Sequence, residues 1–276
     1  LRNYIFATDT TTTTNRTLPW KNSTTLPKIC QIRDNLHSNY YSALFPNDDW
    51  LKWEGYSNKD STKEKADAIT AYMSNKTRVS NFRQEVRKTL YDYIDYGNCF
   101  STVKYVTDYS TNPRGEKIVS FQGPVMERIS PYDIVFNPLA DSFQNSWKIV
   151  RSLRPISDLH ALILSDPENA YLKEALLSRK KLVDHCGRYG WDDQDKSEGF
   201  QIDGFGNYHE YLKDGYVEFL EFYGDAFDED TGKLYQNHKI TVIDRMWVIK
   251  KEAIPNWLGH APIYHAGWRY RPDNLW

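Results

Sequence analysis

Between residues 29 and 44 the apolar positions Ile29, Ile32, Leu36, Tyr40 and Leu44 recur at steps of three and four. That spacing predicts an amphipathic helix, ended by Pro46, whose ring removes an amide donor and clashes with the preceding turn. Ser61-Thr-Lys-Glu64 has the form of a capping box, in which a hydroxyl satisfies an orphan amide and a carboxylate reaches back. Val79, Phe82, Val86, Leu90 and Tyr93 then continue a helical stripe. One long helix is expected from Ser61 to a stop at Gly97, where a positive φ costs nothing.

Beyond Gly97 the period changes to two. Residues 99–106 alternate, Thr111-Asn-Pro-Arg-Gly115 reads as a turn, and Lys117–Gln122 returns as a partner strand, which predicts a β-hairpin. Met126–Pro138 and Trp147–Leu153 are further strand candidates, with prolines near their ends. Helical spacing resumes at Ser157–Leu164 and in Glu168–Cys186, where Leu172, Leu176, Arg179 and Val183 share a face before Gly187. Residues 188–215 contain glycines at 190, 199, 204, 206 and 215 among polar neighbours and read as a surface connection. Tyr216–Tyr223 and Lys239–Lys250 are strand-like on either side of a turn at Asp228–Gly232. The polar, threonine-rich start of the chain shows no period and reads as an extended arm.

The fold class expected from these elements is α+β, with helices packed on antiparallel sheet and a small β-barrel-like C-terminal part. The expected organisation is an arm over 1–25, an α+β domain over 26–187, a connection over 188–215 and a β-rich subdomain over 216–276. A chain of 276 residues can fill one large core or two smaller ones. The pattern favours two lobes.

Composition narrows the function classes. A mean hydropathy of -0.70 and the lack of any apolar run near the roughly 20 residues that span a bilayer argue against a transmembrane helix. The net charge of -2 argues against a module that grips phosphate backbones by counterion release. Cys30, Cys99 and Cys186 lack metal-ligand spacing and read as reduced thiols in a cytoplasm-like compartment. Asn15, Asn22 and Asn75 open glycosylation sequons, but no signal peptide accompanies them.

The motifs for phosphate cradles, nucleophile elbows, zincin helices and paired Cys-x-x-Cys are absent from the sequence. Four weaker constellations remain. Asp225, Asp228, Glu229 and Asp230 offer carboxylates for calcium, though an exposed turn fits their spacing better. Asp192, Asp193, Asp195 and Glu198, near Tyr189 and Trp191, have the residue types of a carbohydrate-active hydrolase, which needs two carboxyls at a set separation. His185, His260 and His265 are candidate zinc ligands without a spaced second pair. Trp50, Trp53, Trp268, Arg269 and Arg271 combine large rings with guanidinium groups, the residue types that anchor buried interfaces; for Trp50 and Trp53, closing a core within the subunit is the favoured reading. No cofactor or metal is expected.

Four phrases in order resemble the portal subunits of short-tailed and related double-stranded DNA phages. They are the helix Ile29–Leu44, the passage Leu90-Tyr-Asp-Tyr-Ile-Asp-Tyr-Gly-Asn-Cys-Phe100, the phrase Arg128-Ile-Ser-Pro-Tyr-Asp-Ile-Val-Phe-Asn-Pro-Leu-Ala140 and the closing Trp268-Arg-Tyr-Arg-Pro-Asp-Asn-Leu-Trp276. None is a catalytic signature; the resemblance lies in their order. It implies a structural, non-enzymatic subunit of a homo-oligomeric ring, a dodecamer, at the capsid vertex of a virion assembled in the host cytoplasm. The same resemblance implies contacts with the major capsid protein, the terminase and tail adaptor proteins, and passage of double-stranded DNA through the ring. This chain would cover mainly the wing, with stem and clip expected beyond Trp276. The alternatives left open are a carbohydrate-active hydrolase and another capsid or tail-adaptor protein.

Overall fold

The structure, a computed structural model, describes residues 28–57, 59–112, 115–137, 139–140, 142–165, 170–189, 194–202, 204, 206–229, 231–254 and 259–268. It is α+β, with antiparallel sheets packed by helices. The described chain forms two compact units, residues 28–131 with 263–268, and residues 132–262. The sequence pattern, by contrast, groups 26–187 together. The division falls instead at Pro131, and the last strand of the described chain belongs to the first unit.

In the first unit α1 (Lys28–Leu44), α2 (Asp60–Val79) and α3 (Phe82–Tyr96) accompany β1 (Asn98–Thr111) and β2 (Lys117–Ile129). The expected long helix is therefore two. Ser80 ends α2, its amide donating to the Lys76 carbonyl at 2.9 Å, and Asn81 takes φ 55°. Asparagine tolerates this left-handed conformation better than most side chains. The capping box expected at Ser61 does not form: α2 begins at Asp60 behind Lys59, with no side-chain cap. Gly97 does end α3, at φ 72°. The chain returns as β8 (Ile263–Gly267) to complete the sheet β2-β1-β8. His37 of α1 lies flat on Tyr91 of α3, ring centroids 3.9 Å apart, and its Nε2 faces the Arg87 carbonyl at 3.1 Å.

The second unit is an open antiparallel sheet in the order β3 (Ile134–Phe136), β4 (Lys148–Pro155), β5 (Tyr216–Asp228), β6 (Lys233–Ile243), β7 (Trp247–Ala253). No closed barrel forms among the described residues. The expected strand over 239–250 is broken at Asp244 and Arg245, which take φ 51° and 61°. Four helices lie between the neighbouring strands β4 and β5: α4 (Ile156–Ser165), α5 (Ala170–Tyr189), α6 (Gln194–Ile202) and α7 (Tyr208–Lys213). Leu159 and Leu172 from the helices meet Val217, Phe219 and Ile243 from the sheet in one core. Phe200, Tyr208, Tyr211 and Leu212 form a second core with Leu182 and Val183. The span 188–215, expected as a surface connection, thus contains two helices. Phe200, Tyr208 and Tyr211 within it are buried, and α7 opens on the capping box that Asn207 and Glu210 make. Among the described residues no helix is long and apolar enough to cross a membrane.

Candidate functional site

Of the five residues singled out as anchors, three are described. Trp50 packs inside the first unit, stacked on Phe82 with centroids 5.5 Å apart and edge-on to Phe45 at 4.8 Å. Trp53 is held by its amide, which donates to Thr70 Oγ1 at 3.1 Å, while that hydroxyl donates to the Ala66 carbonyl at 2.8 Å. Both indoles are half-buried. Trp268 is 45% exposed. It stacks on Tyr93 at 5.5 Å and meets Tyr40 edge-on, and its amide donates to the Gly97 carbonyl at 2.7 Å. Arg269 and Arg271 lie outside the described residues.

A larger apolar surface was not legible as such in the sequence. β8 pairs with β1 only through Thr102, so the outer part of the β1–β2 hairpin has no third strand among the described residues. This ribbon carries Tyr105 and Tyr109 at 69% and 65% exposure, together with exposed Ile118 and Val119. A two-stranded ribbon is marginally stable in water without further packing, and this one exposes apolar side chains on both faces, since the adjacent Ile118 and Val119 point to opposite sides. α2 reaches the ribbon through Lys76, whose ammonium donates to the Gln122 carbonyl at 2.6 Å and lies over the Phe121 ring.

At the α2–α3 joint the same unit holds a cavity of about 850 Å³ lined by Tyr41, Trp50, Arg78, Arg83 and Arg87 among polar neighbours. Arg83 is committed, bound to Asp48 and to the Asn47 carbonyl, both at 3.0 Å. Arg78 touches Asn75 and Arg87 lies over the Tyr41 ring. Deeper in this unit, Arg128 makes two contacts with buried Asp92, one of them at 2.7 Å, and its amide donates to Glu85. Burial, with the nearby Asp92 charge second, pushes the Cys99 thiol up to about 11. Cys99 is therefore a protonated packing residue, its Sγ directed at the Ala266 carbonyl.

The second unit has a buried ionic network. Glu218 binds Arg245 through two oxygens, at 2.9 and 3.0 Å. Asp244 accepts from the Tyr211 hydroxyl and lies 3.3 Å from Arg179 Nε, without hydrogen-bond alignment. Arg179 also donates to the Tyr211 and Tyr216 carbonyls, and the Glu218 amide donates to the Tyr211 hydroxyl. Burial raises the Asp244 carboxyl, with Arg179 opposing, and burial first and Asp244 second raise the Tyr211 phenol. The network joins α5 and α7 to the β6–β7 turn, where Asp244 and Arg245 hold left-handed backbone that non-glycine residues adopt at a cost. It is a structural lock whose acids and bases neutralise one another.

Lys148 is a further buried charge of this unit, 1% exposed. Its ammonium donates to the Gln144 and Ser146 carbonyls at 3.1 and 2.8 Å and lies 4.6 Å from the Phe143 ring centroid. No carboxylate within ion-pair distance of it occurs among the described residues. Burial lowers its pKa to about 8.

The metal and hydrolase constellations are not assembled among the described residues. Asp225 accepts from the Asn237 amide at 2.7 Å, and Asp228 pairs with Lys251 at 3.2 Å, which holds its carboxyl below the usual range. His265 Nε2 lies 3.0 Å from Asn98 Oδ1, and burial lowers that imidazole to about 4. His260 Nδ1 lies 3.1 Å from the Ala261 carbonyl. No group of three or more potential metal ligands occurs among the described residues. Asp192 and Asp193 lie outside them. The chain matches no family model, and no curated protein matches it significantly.

Proposed function

We propose that this chain is a structural subunit of a phage portal ring, the channel at the capsid vertex through which double-stranded DNA is packaged and ejected. The observation that carries the reading is the β1–β2 ribbon, whose Tyr105, Tyr109, Ile118 and Val119 stand in solvent in the single chain. Burying such side chains against identical neighbours is what a ring subunit requires, and permanent interfaces of this type bury about 2,000 Å² or more. Trp268, supported from behind by Tyr93 and Tyr40, adds a rigid ring of the type that anchors interfaces. The ordered phrases that resemble portal subunits support reading the ring as a dodecamer that meets the major capsid protein, terminase and tail adaptors.

The test is the subunit count of the full-length product by native mass spectrometry and negative-stain imaging. A closed ring with a central channel is expected. Tyr105→Ser with Tyr109→Ser, and separately Trp268→Ala, should reduce ring formation while leaving far-UV circular dichroism unchanged. A chain that stays monomeric at every concentration, with an unaltered count in these variants, overturns the reading.

A further inference from the structure

The β5–β6 hairpin runs on past both of its neighbours. β4 pairs with β5 only as far as Tyr223, and β7 pairs with β6 only as far as His238. Beyond those points Ala226–Asp228 and Lys233–Tyr235 pair only with each other, so the tip projects as two strands. It carries Phe227 and Leu234, paired across the strands and both more than half exposed, and exposed Glu229 beside Asp228. The tip thus exposes an apolar pair with Glu229 at its end, while Asp228 is taken up by Lys251.

The cavity at the α2–α3 joint has the opposite character. It is concave, floored by Tyr41 and Trp50 and edged by Arg78 and Arg87. Neither arginine pairs with a carboxylate among the described residues, whereas Arg83 beside them is already bound to Asp48. Guanidinium groups next to aromatic faces suit a ligand that brings a carboxylate and an apolar ring together.

We infer that this cavity receives the β5–β6 tip of a neighbouring copy of the chain, with Glu229 against Arg78 and Arg87 and Phe227 against the Trp50–Tyr41 floor. The contact joins two different surfaces, the head-to-tail type that builds a ring when the rotation between copies closes. The inference rests on the ring reading and names one of its interfaces.

The test is charge reversal and its rescue in the full-length product. Arg78→Glu with Arg87→Glu, and separately Glu229→Arg, should each lower ring yield about tenfold or more at low salt, because like charges then face each other. Equimolar mixing of those two variants should also recover rings, because alternation around an even-membered ring sets every tip against a pocket of opposite charge. The chain that combines all three changes should recover much of the wild-type yield. Wild-type rings that tolerate each reversal, or that fail to recover in the combined chain, overturn this interface and leave the ring reading standing. If the wild-type chain forms no ring, a cyclised peptide of residues 223–239 decides: loss of its binding in Arg78→Glu with Arg87→Glu supports the pairing, and absence of binding to the wild type overturns it. Retention of a double-stranded oligonucleotide through the same two arginines also overturns it.

Discussion

Replacing Lys148 by Met probes a charge that the second unit buries without a counter-ion. A fall from 10.5 to about 8 corresponds to about 3 kcal/mol spent at neutral pH on holding the ammonium in place, at 1.36 kcal/mol per pH decade. Met removes that cost but strands the Gln144 and Ser146 carbonyls, each worth about 1–3 kcal/mol when left without a donor. At pH 7 the opposing effects largely cancel, and stability alone is a poor readout. The pH dependence is the sharper one. The folded pKa lies below the unfolded value, so between the two the unfolded chain binds more protons and stability rises with pH. Linkage over pH 7 to 9.5 gives the wild type about 2 kcal/mol that the Met variant lacks. Urea unfolding at both pH values measures it, and differencing the two proteins cancels the opposite contribution of Cys99, whose raised thiol loses stability between pH 9 and 11. Equal pH dependence in the two proteins would refute the picture of an unpaired buried ammonium.

Asp244→Ala leaves Arg179 buried without its partner and should cost about 3–5 kcal/mol by thermal or urea unfolding; adding Arg179→Met should recover part of it, and a larger combined loss would count against a shared network. Gly224→Val should cost several kcal/mol by the same measurement, because Gly224 has φ 150° and a Cβ there would lie 2.9 Å from that of Trp147; a neutral result would mean the β-bulge relaxes. His265 has a folded pKa of about 4, below its ordinary value near 6.5, so the stability it contributes is present above pH 6.5 and lost as pH falls towards 4. His265→Gln should flatten that acid limb, and an unchanged limb would exclude the assignment.

The helix over 29–44, the β1–β2 hairpin and the strands at 147–153 and 216–223 follow from periodicity, although Ile29, Ile32 and Leu44 of the helical stripe stay exposed in the single chain. The break at Ser80–Asn81 was also visible, since asparagine often ends helices, but the stripe from Val79 to Tyr93 runs on either side of the joint and conceals it. Asn207-Tyr-His-Glu210 has the spacing of a capping box as well, yet the glycines around it outweigh that signal until Phe200, Tyr208 and Tyr211 are seen packed together. Trp50 and Trp53 could be named as anchors from residue type alone, whereas the stacking of Trp50 on Phe82 of α3 and the bond from the Trp53 amide to Thr70 of α2 depend on helices later in the chain.

The sequence by itself therefore determined the local elements and the α+β class, because period, turn chemistry and helix stops act over a few residues. Tertiary structure decided the rest: that β8 joins β1, that four helices separate adjacent strands, and that Glu218, Asp244 and Lys148 are buried. Strand partners and burial depend on contacts between residues tens to hundreds of positions apart, and no local pattern records which distant surface will cover a given side chain.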